Sequence, residues 1–552
     1  MIVYADKVFR NPKTVIVAFS TEEFQDAFKQ IERYQKDYYL AGYIRYEARF
    51  AFAGLSYQKK LPLLYFEVFE SFAKFEQPAS QDVYLEAKSS ISFEEYQYAI
   101  AAIKDEIRNG NTYEVNYTYD YHIECDTDPF ALYCSLLDKQ KTPYNFYLHN
   151  QYDTVLSFSP ELFFLINRGE GGVRHILTKP MKGTVRRGKD AAEDEALIRF
   201  LQRDIKNRAE NVMIVDLLRN DLGRIARLGA VQATRLFEVE THSTLHTMTS
   251  QVEADLRAET SLFDVFQAIF PCGSVTGAPK ISTMDIIDRL EGGARNIYCG
   301  AIGLISPGGN CEFSVPIRIL QKAAGDACYT YRVGGAIVWD SSAEDEWLET
   351  ITKTKFLHSN FKLLETMKIV DGAILFAEEH NARIKKSADF FGFSYHDDIV
   401  TLQAPQDGML RFLLEKSGRY TVEHRAIHET TIDTIRISPL RVNSSDIFLR
   451  HKTSYRPLFT IDYTSVYDEV FFNERNELTE GSRTNIVLKI GGRLWTPPLS
   501  SGLLSGIYRQ HMLESCACSE KILSRVDLEN AEEVYCVNSV RGMRRVRLVG
   551  AF

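Results

Sequence analysis

The sequence predicts an α+β chain in two parts. Three observations carry that prediction: strand-like alternation of apolar and polar residues dominates, helical patterns come between runs of strands rather than after each strand, and the texture restarts near residue 362. Residues 1–362 and 363–552 are accordingly expected as separate domains, although no Pro-, Gly- or Ser-rich linker lies between them and no internal repeat is visible. With 45% hydrophobic and 25% charged residues over 552 positions, the chain can bury a large core.

Taken in order, "YYLAGYIRYEARFAFAG" (38–54) reads as strand. Tyr96, Ile100, Ile103 and Ile107 recur at helical spacing, and Gly110 closes that helix. Strands follow at "TYEVNYTYDYHIEC", "YNFYLHN" and "DTVLSFSPELFFLIN", and then one long helix over about 190–218. "TSLFDVFQAIF" and "PKISTMDIIDRLEG" predict helices on either side of a glycine-rich turn. Glycine-punctuated strands come next, the second of them holding Arg318, and then a helix from about Glu344 towards Leu364. "TMKIVDGAILFAEEHNARIKKSADFFGF" restarts as strand, Asp-Gly turn, strand and helix.

A net charge of -9 argues against general binding to nucleic acid or to a membrane surface. No uncharged apolar run reaches the roughly 18 residues of a bilayer span, and the first residues lack a signal-peptide pattern. Nine scattered cysteines without metal-ligand spacing suit reduced thiols, so a cytoplasmic location is expected.

The first chemistry-bearing stretch is "ILTKPMKGTVRRG" (176–188), where Lys182 precedes a glycine and a cationic run. A solvated turn lysine is the commoner fate of such a residue, and a nucleophilic amine is the other reading. Glu210 opens an apolar helix, and Glu346, Glu349 and Lys353 share one helical face. Carboxylates from two helices suit Mg2+, whereas either motif alone suits a salt-bridged surface helix. "PCGSVTGAPK" (271–280) is an anion-ready turn without P-loop spacing. Arg318 among apolar neighbours calls for a planar anion, and Gly334 and Gly335 permit close backbone approach.

Together "SPELFF", "KPMKGTVRRG", "NRAENVMIVDLLRNDLGR", "PCGSVTGAPKISTMDIIDRLE", "YCGAIGLI", "IRIL" and "GGAIVWDSSAEDEWLETITK" occur in order over residues 90–360. This series resembles the chorismate-utilising family, which includes the component I subunits of anthranilate synthase and aminodeoxychorismate synthase and the isochorismate synthases. The resemblance implies an antiparallel-sheet sandwich with outer helices. It implies Mg2+ held by Glu210 and Glu349 with Glu346 close by. The carboxylates of chorismate would meet Arg318, Lys353, Gly335 and the turn at Thr276, Gly277 and Ala278, and His246 would contact the ring. Cys272 departs from the family, which usually has glycine there.

Family members that make 4-amino-4-deoxychorismate carry lysine at the position of Lys182, and anthranilate synthases carry alanine. The resemblance therefore implies that the Lys182 amine attacks ring carbon 2 and expels the C4 hydroxyl, after which ammonia adds at C4 and expels the lysine. That amine must be neutral, so its pKa is expected to fall from about 10.4, with Lys179 and Arg186 as candidate neighbouring cations. Glu114 replaces a residue that is lysine in isochorismate synthases and usually glutamine in the others, and the sequence gives no account of it. No Cys-His-Glu glutaminase module is recognisable, so ammonia from a separate glutamine amidotransferase subunit is implied. The N-terminal region lacks the "LLES" mark of a tryptophan site, so feedback by tryptophan is not expected.

"IFLRHKTSYRPLF" (447–459), "NELTEGSRTNIVLKI" and "TPPLSSGLLSGIYRQHML" resemble fold-type IV pyridoxal phosphate enzymes, among them 4-amino-4-deoxychorismate lyases. That resemblance implies that Lys452 carries pyridoxal 5'-phosphate as a Schiff base and that Glu480 pairs with its ring nitrogen. The phosphate would be held by Arg383, the Ser505, Gly506 and Ile507 turn, and Asn538 with Ser539. The first strands of the stand-alone enzymes, before "TMKIVDG", are missing or replaced. The two halves together imply 4-amino-4-deoxychorismate synthesis followed by release of pyruvate and 4-aminobenzoate, a folate precursor. The alternatives are an anthranilate synthase component I type of enzyme and a non-catalytic protein that binds chorismate or pyridoxal phosphate.

Overall fold

Alternation in the first half of the sequence resolves, in a computed structural model of the chain, into two long antiparallel sheets. The structure describes all residues except 59, 79–82, 84, 86, 141, 187–190, 242–244, 355, 358–360, 403–405, 429, 445, 457, 460–462 and 550–552, and it leaves out the side chains of 170, 184, 186, 191–193, 206 and 245. The chain divides into a unit of Met1–Leu357 and a unit of His358–Phe552.

In the first unit one sheet runs, neighbour to neighbour, through Gly277–Ala278, Glu114–Ile123, Tyr329–Ile337, Ile319–Ala323, Asp153–Ser159, Tyr144–His149, Ile2–Tyr4, Lys7–Phe9 and Ala73–Lys74. The other runs through Met181–Arg186, Leu245–Asp255, Arg174–Thr178, Leu162–Arg168, Cys311–Ser314, Ala301–Ile305, Tyr39–Ile44, Leu64–Phe69 and Thr14–Ala18. Their apolar faces share one core, in which Phe146, Leu148 and Val155 of the first sheet join Phe66, Phe164 and Phe313 of the second. Phe164 and Phe313 stack with ring centroids 5.1 Å apart. Each such side chain contributes about 1.5–3 kcal/mol by leaving water. The sandwich is thus held by its middle, and the polar strand ends that carry the candidate site lie at one end of each sheet order.

The structure departs from four sequence expectations. The strand expected over 38–54 stops at Ile44, and Ala48–Phe52 is a short helix. Just past that end Arg45 is 1% exposed and turns inward to Asp153, with its Nη2 2.6 Å from both carboxylate oxygens. A guanidinium buried without such a partner would carry a large desolvation cost. The long helix over about 190–218 is two helices, Ala191–Arg203 and Ile205–Gly223, because the Asp204 side chain accepts a hydrogen bond from the Asn207 N–H and caps a new start. The helix expected to run to Leu364 is Ala343–Thr354, and Leu363–Val370 is already a strand. Arg318 sits just before its strand rather than in it, with φ at 55°.

The second unit has a four-stranded antiparallel sheet, with Leu363–Val370 beside Gly408–Leu414, and an eight-stranded mixed sheet that includes Leu478–Gly481, Asn485–Ile490 and Glu533–Asn538. Ala377–Phe391 packs Ile384 and Ala388 against Met367, Leu410 and Phe412 of the smaller sheet. Ile435, Val470, Ile486, Leu488 and Val546 form the core of the larger one. Among the described residues, no helix of either unit is long and apolar enough to cross a membrane.

Candidate active sites

In the first unit, strand Glu114–Ile123 is the organiser. At its start Val115 and Glu114 pair with Gly277 and Ala278, and further along Tyr117 and Thr118 pair with Gly335 and Gly334. The glycines are required by space. A Cβ on Gly277 would lie 2.0 Å from the Glu114 carbonyl oxygen, and one on Gly334 would lie 1.9 Å from that of Tyr117. At Gly335 the crowding comes from a side chain instead, since a Cβ there would press to 3.0 Å from Glu346 Oε2. Cys272, the departure in the turn, has an ordinary φ of -58°, so nothing in the backbone asks for glycine. The turn at Thr276, Gly277 and Ala278 joins the sheet edge and, through Pro279 at the N-cap, leads straight into helix Lys280–Leu290, as the sequence predicts.

Lys182 comes from the other sheet, at a shift in register between Met181, opposite Thr249, and Thr184, opposite Thr247. Gly183 follows it with φ at 79°, and a Cβ there would lie 2.6 Å from Asn207 Oδ1. The glycine thus lets this edge approach the start of the helix that carries Glu210. Lys182 is 8% exposed, and its Nζ donates to Glu114 Oε1 at 2.7 Å. The lowering expected for this amine is not found. Its pKa is raised: burial opposes the charge, but Glu114, then Glu210 and Glu161, favour it. Of the two cations expected nearby, Lys179 is paired with Glu240, and the Arg186 side chain lies outside the described residues.

Sequence reasoning found no use for Glu114 and passed over Glu161. Glu161 is buried, accepts a hydrogen bond from Ser274 Oγ at 2.6 Å, and is pushed up to about 7 by burial. Its one signal was a carboxylate inside the apolar run "SFSPELFF".

The remaining residues divide by partner. Arg318 is half-buried, and its guanidinium makes no hydrogen bond or ion pair among the described residues; burial lowers its pKa. A desolvated guanidinium without a carboxylate is ready for an anionic ligand. Lys353 donates to the Gly334 carbonyl oxygen at 2.8 Å and pairs with Glu349 at 2.7 Å. Glu346 accepts from Ser341 Oγ at 2.7 Å. His246 is fully buried with both ring nitrogens engaged, Nδ1 with Thr241 Oγ1 at 2.9 Å and Nε2 with Asp194 Oδ1 at 3.0 Å. Among the described residues no three His, Cys, Asp or Glu side chains converge as a ready-made metal cage.

In the second unit, Lys452 and Glu480 stand out by electrostatics. Burial lowers the Lys452 amine to about 7, assisted by Arg383. Burial also raises the Glu480 carboxyl to about 7, against the pull of Arg456, whose Nη2 lies 3.8 Å away. Glu480 Oε2 accepts from Asn485 Nδ2 at 3.2 Å, and its buried Oε1 has no hydrogen-bond partner among the described residues. Arg383 is held bidentately by buried Glu365, at 2.8 Å and 2.5 Å, while its Nη1 reaches the Ser505 carbonyl oxygen at 3.1 Å. Arg383, Ser505 and Ile507 line a cavity of about 940 Å³. Gly506 caps helix Ile507–Glu514, and a Cβ on it would meet Asn485 Oδ1 at 1.9 Å. Asn538 Oδ1 accepts from the Val540 and Arg541 N–H groups, and Ser539 Oγ donates to the Thr366 carbonyl oxygen at 3.5 Å.

Comparison with known proteins places these two sets in families. Residues 72–359 match the chorismate binding enzyme family, and residues 420–549 match amino-transferase class IV. An aminodeoxychorismate synthase of Streptomyces griseus is 44% identical over 271 residues, 49% of this chain and 36% of that protein. Aminodeoxychorismate synthase component 1 of Escherichia coli is 37% identical over 266 residues, 48% of this chain and 57% of its own length. The chain thus spans little more than half, or less, of these relatives. The crystal structure of anthranilate synthase component I from Streptococcus pneumoniae shares the fold, with a TM-score of 0.55 at 24% identity over 64% of this chain and 92% of that one. By the match over more than half of its length, the chain belongs to the chorismate binding enzyme family, and it carries a class IV aminotransferase domain behind that region.

Proposed function

We propose that the first unit converts chorismate and ammonia to 4-amino-4-deoxychorismate, and that the second cleaves this product to pyruvate and 4-aminobenzoate. The observation that carries the proposal is Lys182, a buried amine beside a glycine-rich turn and carboxylates. A direct attack by ammonia at ring carbon 2, which gives anthranilate, has no use for such an amine. Lys182 forms the bond to carbon 2 as the C4 hydroxyl leaves; ammonia then bonds to C4 as the lysine departs. Arg318, which has no carboxylate partner among the described residues, and Lys353 receive the substrate carboxylates, and Gly335 and the Thr276–Ala278 turn admit the ring closely.

The carboxylates of Glu210 and Glu349, with Glu346, are the hard donors that Mg2+ takes, and one or two protein carboxylates with substrate and water suffice for it. They would hold the ion, which supplies charge neutralisation for a dianionic substrate. Glu210→Gln or Glu349→Gln is expected to remove Mg2+-dependent turnover with little loss of stability, measured as rate across a Mg2+ titration beside thermal unfolding. Wild-type rates in both variants would make these carboxylates structural.

In the second unit Glu480 Oε1, which makes no hydrogen bond among the described residues and has Arg456 only at 3.8 Å, suits a protonated ring nitrogen, and a Lys452 amine lowered to about 7 suits covalent attachment, so these residues fit pyridoxal 5'-phosphate. When bound, that cofactor supplies an electron sink. Lys452 would hold it and move the proton from ring carbon 4, and Arg383 and the Ser505–Ile507 turn would bind its phosphate. Capture of pyridoxal phosphate by the apo-protein, fixed with borohydride and read by mass, should rise with pH through about 7 and then level off. Deprotonation of the amine sets that sign. An unperturbed lysine would keep climbing towards about 10.4, and that result would contradict the assignment.

The proposal includes ammonia from a separate glutamine amidotransferase subunit, in keeping with the component 1 name of the Escherichia coli relative. It also includes a cytoplasmic location, which suits cysteines that are free among the described residues. Purified protein given chorismate, ammonium and Mg2+ should yield 4-aminobenzoate and pyruvate; anthranilate as the product would overturn the reading.

A further inference from the structure

We propose that buried Glu365, itself fixed by His380, is the positioning residue that aims Arg383 at the cofactor phosphate in the second unit. The inference rests on that unit binding pyridoxal 5'-phosphate. Glu365 lies in strand Leu363–Val370, and His380 and Arg383 lie one turn apart in helix Ala377–Phe391. Arg383 Nε donates to Glu365 Oε1 at 2.8 Å and its Nη2 donates to Oε2 at 2.5 Å, the parallel pair that sets the direction of a planar guanidinium as well as its place. His380 Nδ1 donates to the same Oε2 at 2.6 Å. Glu365 is 1% exposed and His380 is fully buried. Burial opposes the charge on Glu365, but Arg383 and then His380 outweigh it and hold the carboxyl below the usual range.

His380 supplies a second, independent observation. Facing a carboxylate, its Nδ1 carries the ring proton, so Nε2 is left as a lone pair, and that buried nitrogen has no hydrogen-bond partner among the described residues. An unpaired buried acceptor is destabilising, and what it accompanies is the Nδ1 contact that stops the carboxylate from rotating away from Arg383. The donors of Arg383 then divide cleanly. Glu365 takes one N–H from Nε and one from Nη2, and the Ser505 carbonyl oxygen takes one from Nη1 at 3.1 Å, which leaves one N–H on each terminal nitrogen. The side chain lines the same cavity as Ser505 and Ile507, where those two N–H groups can meet an oxyanion. An arginine released from Glu365 keeps its charge and loses that direction.

The test measures binding rather than turnover. Apo-protein of wild type, Glu365→Gln, His380→Leu, Arg383→Ala and the double variant Glu365→Gln with Arg383→Ala is titrated with pyridoxal 5'-phosphate and with pyridoxal. Capture at Lys452 is fixed with borohydride and read by mass, at one pH above the value of about 7 for that amine. Glu365→Gln is expected to raise the dissociation constant of pyridoxal 5'-phosphate by about 10–100-fold, the scale of one charge-assisted hydrogen bond, and that of pyridoxal by less than about threefold. Glu365 also favours the charge on Lys452, but losing that effect alters both aldehydes alike, so the ratio of the two constants isolates the phosphate. His380→Leu should move the ratio in the same direction by fewer fold, and it decides the matter if Glu365→Gln does not fold. With Arg383→Ala already present, Glu365→Gln should leave the ratio where it stands, because the carboxylate acts through the arginine. An unchanged ratio in Glu365→Gln or in His380→Leu, equal weakening of both aldehydes, or a further change of the ratio in the double variant overturns the proposal. Failure of wild type to capture pyridoxal 5'-phosphate at Lys452 removes the reading beneath it instead.

Discussion

Lys182→Ala is expected to lower 4-amino-4-deoxychorismate formation by about 10³-fold or more, the scale of loss when one member of a covalent catalytic set is deleted. Chorismate binding should survive, because Arg318, Lys353 and the glycine turn are untouched. Anthranilate is the product to look for, since ammonia admitted to the vacated space can attack carbon 2 directly. The substitution also strands Glu114, which is fully buried and whose carboxylate, among the described residues, is hydrogen-bonded to the lysine alone. Breaking a buried pair on one side costs about 3–5 kcal/mol, less whatever Glu114 recovers by taking up a proton. The variant should therefore unfold at lower denaturant, and most visibly at high pH, where that proton is hardest to keep. Chromatography of the products from chorismate and ammonium, beside a denaturant titration at two pH values, checks both effects. Unchanged product at an unchanged rate would remove the nucleophile.

Lys452→Ala is expected to abolish pyruvate release from 4-amino-4-deoxychorismate and to leave no cofactor that borohydride can fix. The loss should be about 10³-fold or more, because one amine is asked both to hold the cofactor and to move the ring proton. Glu480→Gln should fall by less, since it keeps the cofactor attached while weakening the partner of the ring nitrogen. Pyruvate measured with a coupled dehydrogenase, on protein whose cofactor content is known from mass, separates binding from turnover. Equal release by wild type and Lys452→Ala would mean that the second unit is no lyase.

Much of the fold was legible because its determinants are local. Alternation in "YNFYLHN" and "IYCGAIGLI", and helical spacing after Ser261 and Ser92, reappear as strands and as helices with capping boxes. What failed was set by tertiary partners. The strand expected over 38–54 gives way after Ile44, where Arg45 is taken inward by Asp153, more than a hundred residues away. Asp204 divides one apolar periodicity into two helices through a cap that a hydrophobic pattern does not register.

The candidate sites follow the same rule. Spacing put Glu346, Glu349 and Lys353 on one face, and the sequence of "PMKGT" showed an amine beside a glycine. The state of that amine was invisible, because Glu114 reaches it from the other sheet and the expected cations do not. Glu161 was hidden for a like reason: a carboxylate in an apolar run reads as a strand residue until Ser274 is seen against it.

The central claim is that Lys182 bonds to the substrate, and the most direct test is the mass of the protein given chorismate and Mg2+ without ammonia. With no second nucleophile to expel it, the lysine should remain attached, and the peptide that holds Lys182 should gain the mass of chorismate less one water, a gain absent from Lys182→Ala. Protein that turns chorismate over on addition of ammonium, yet never carries that mass on Lys182, would contradict the account.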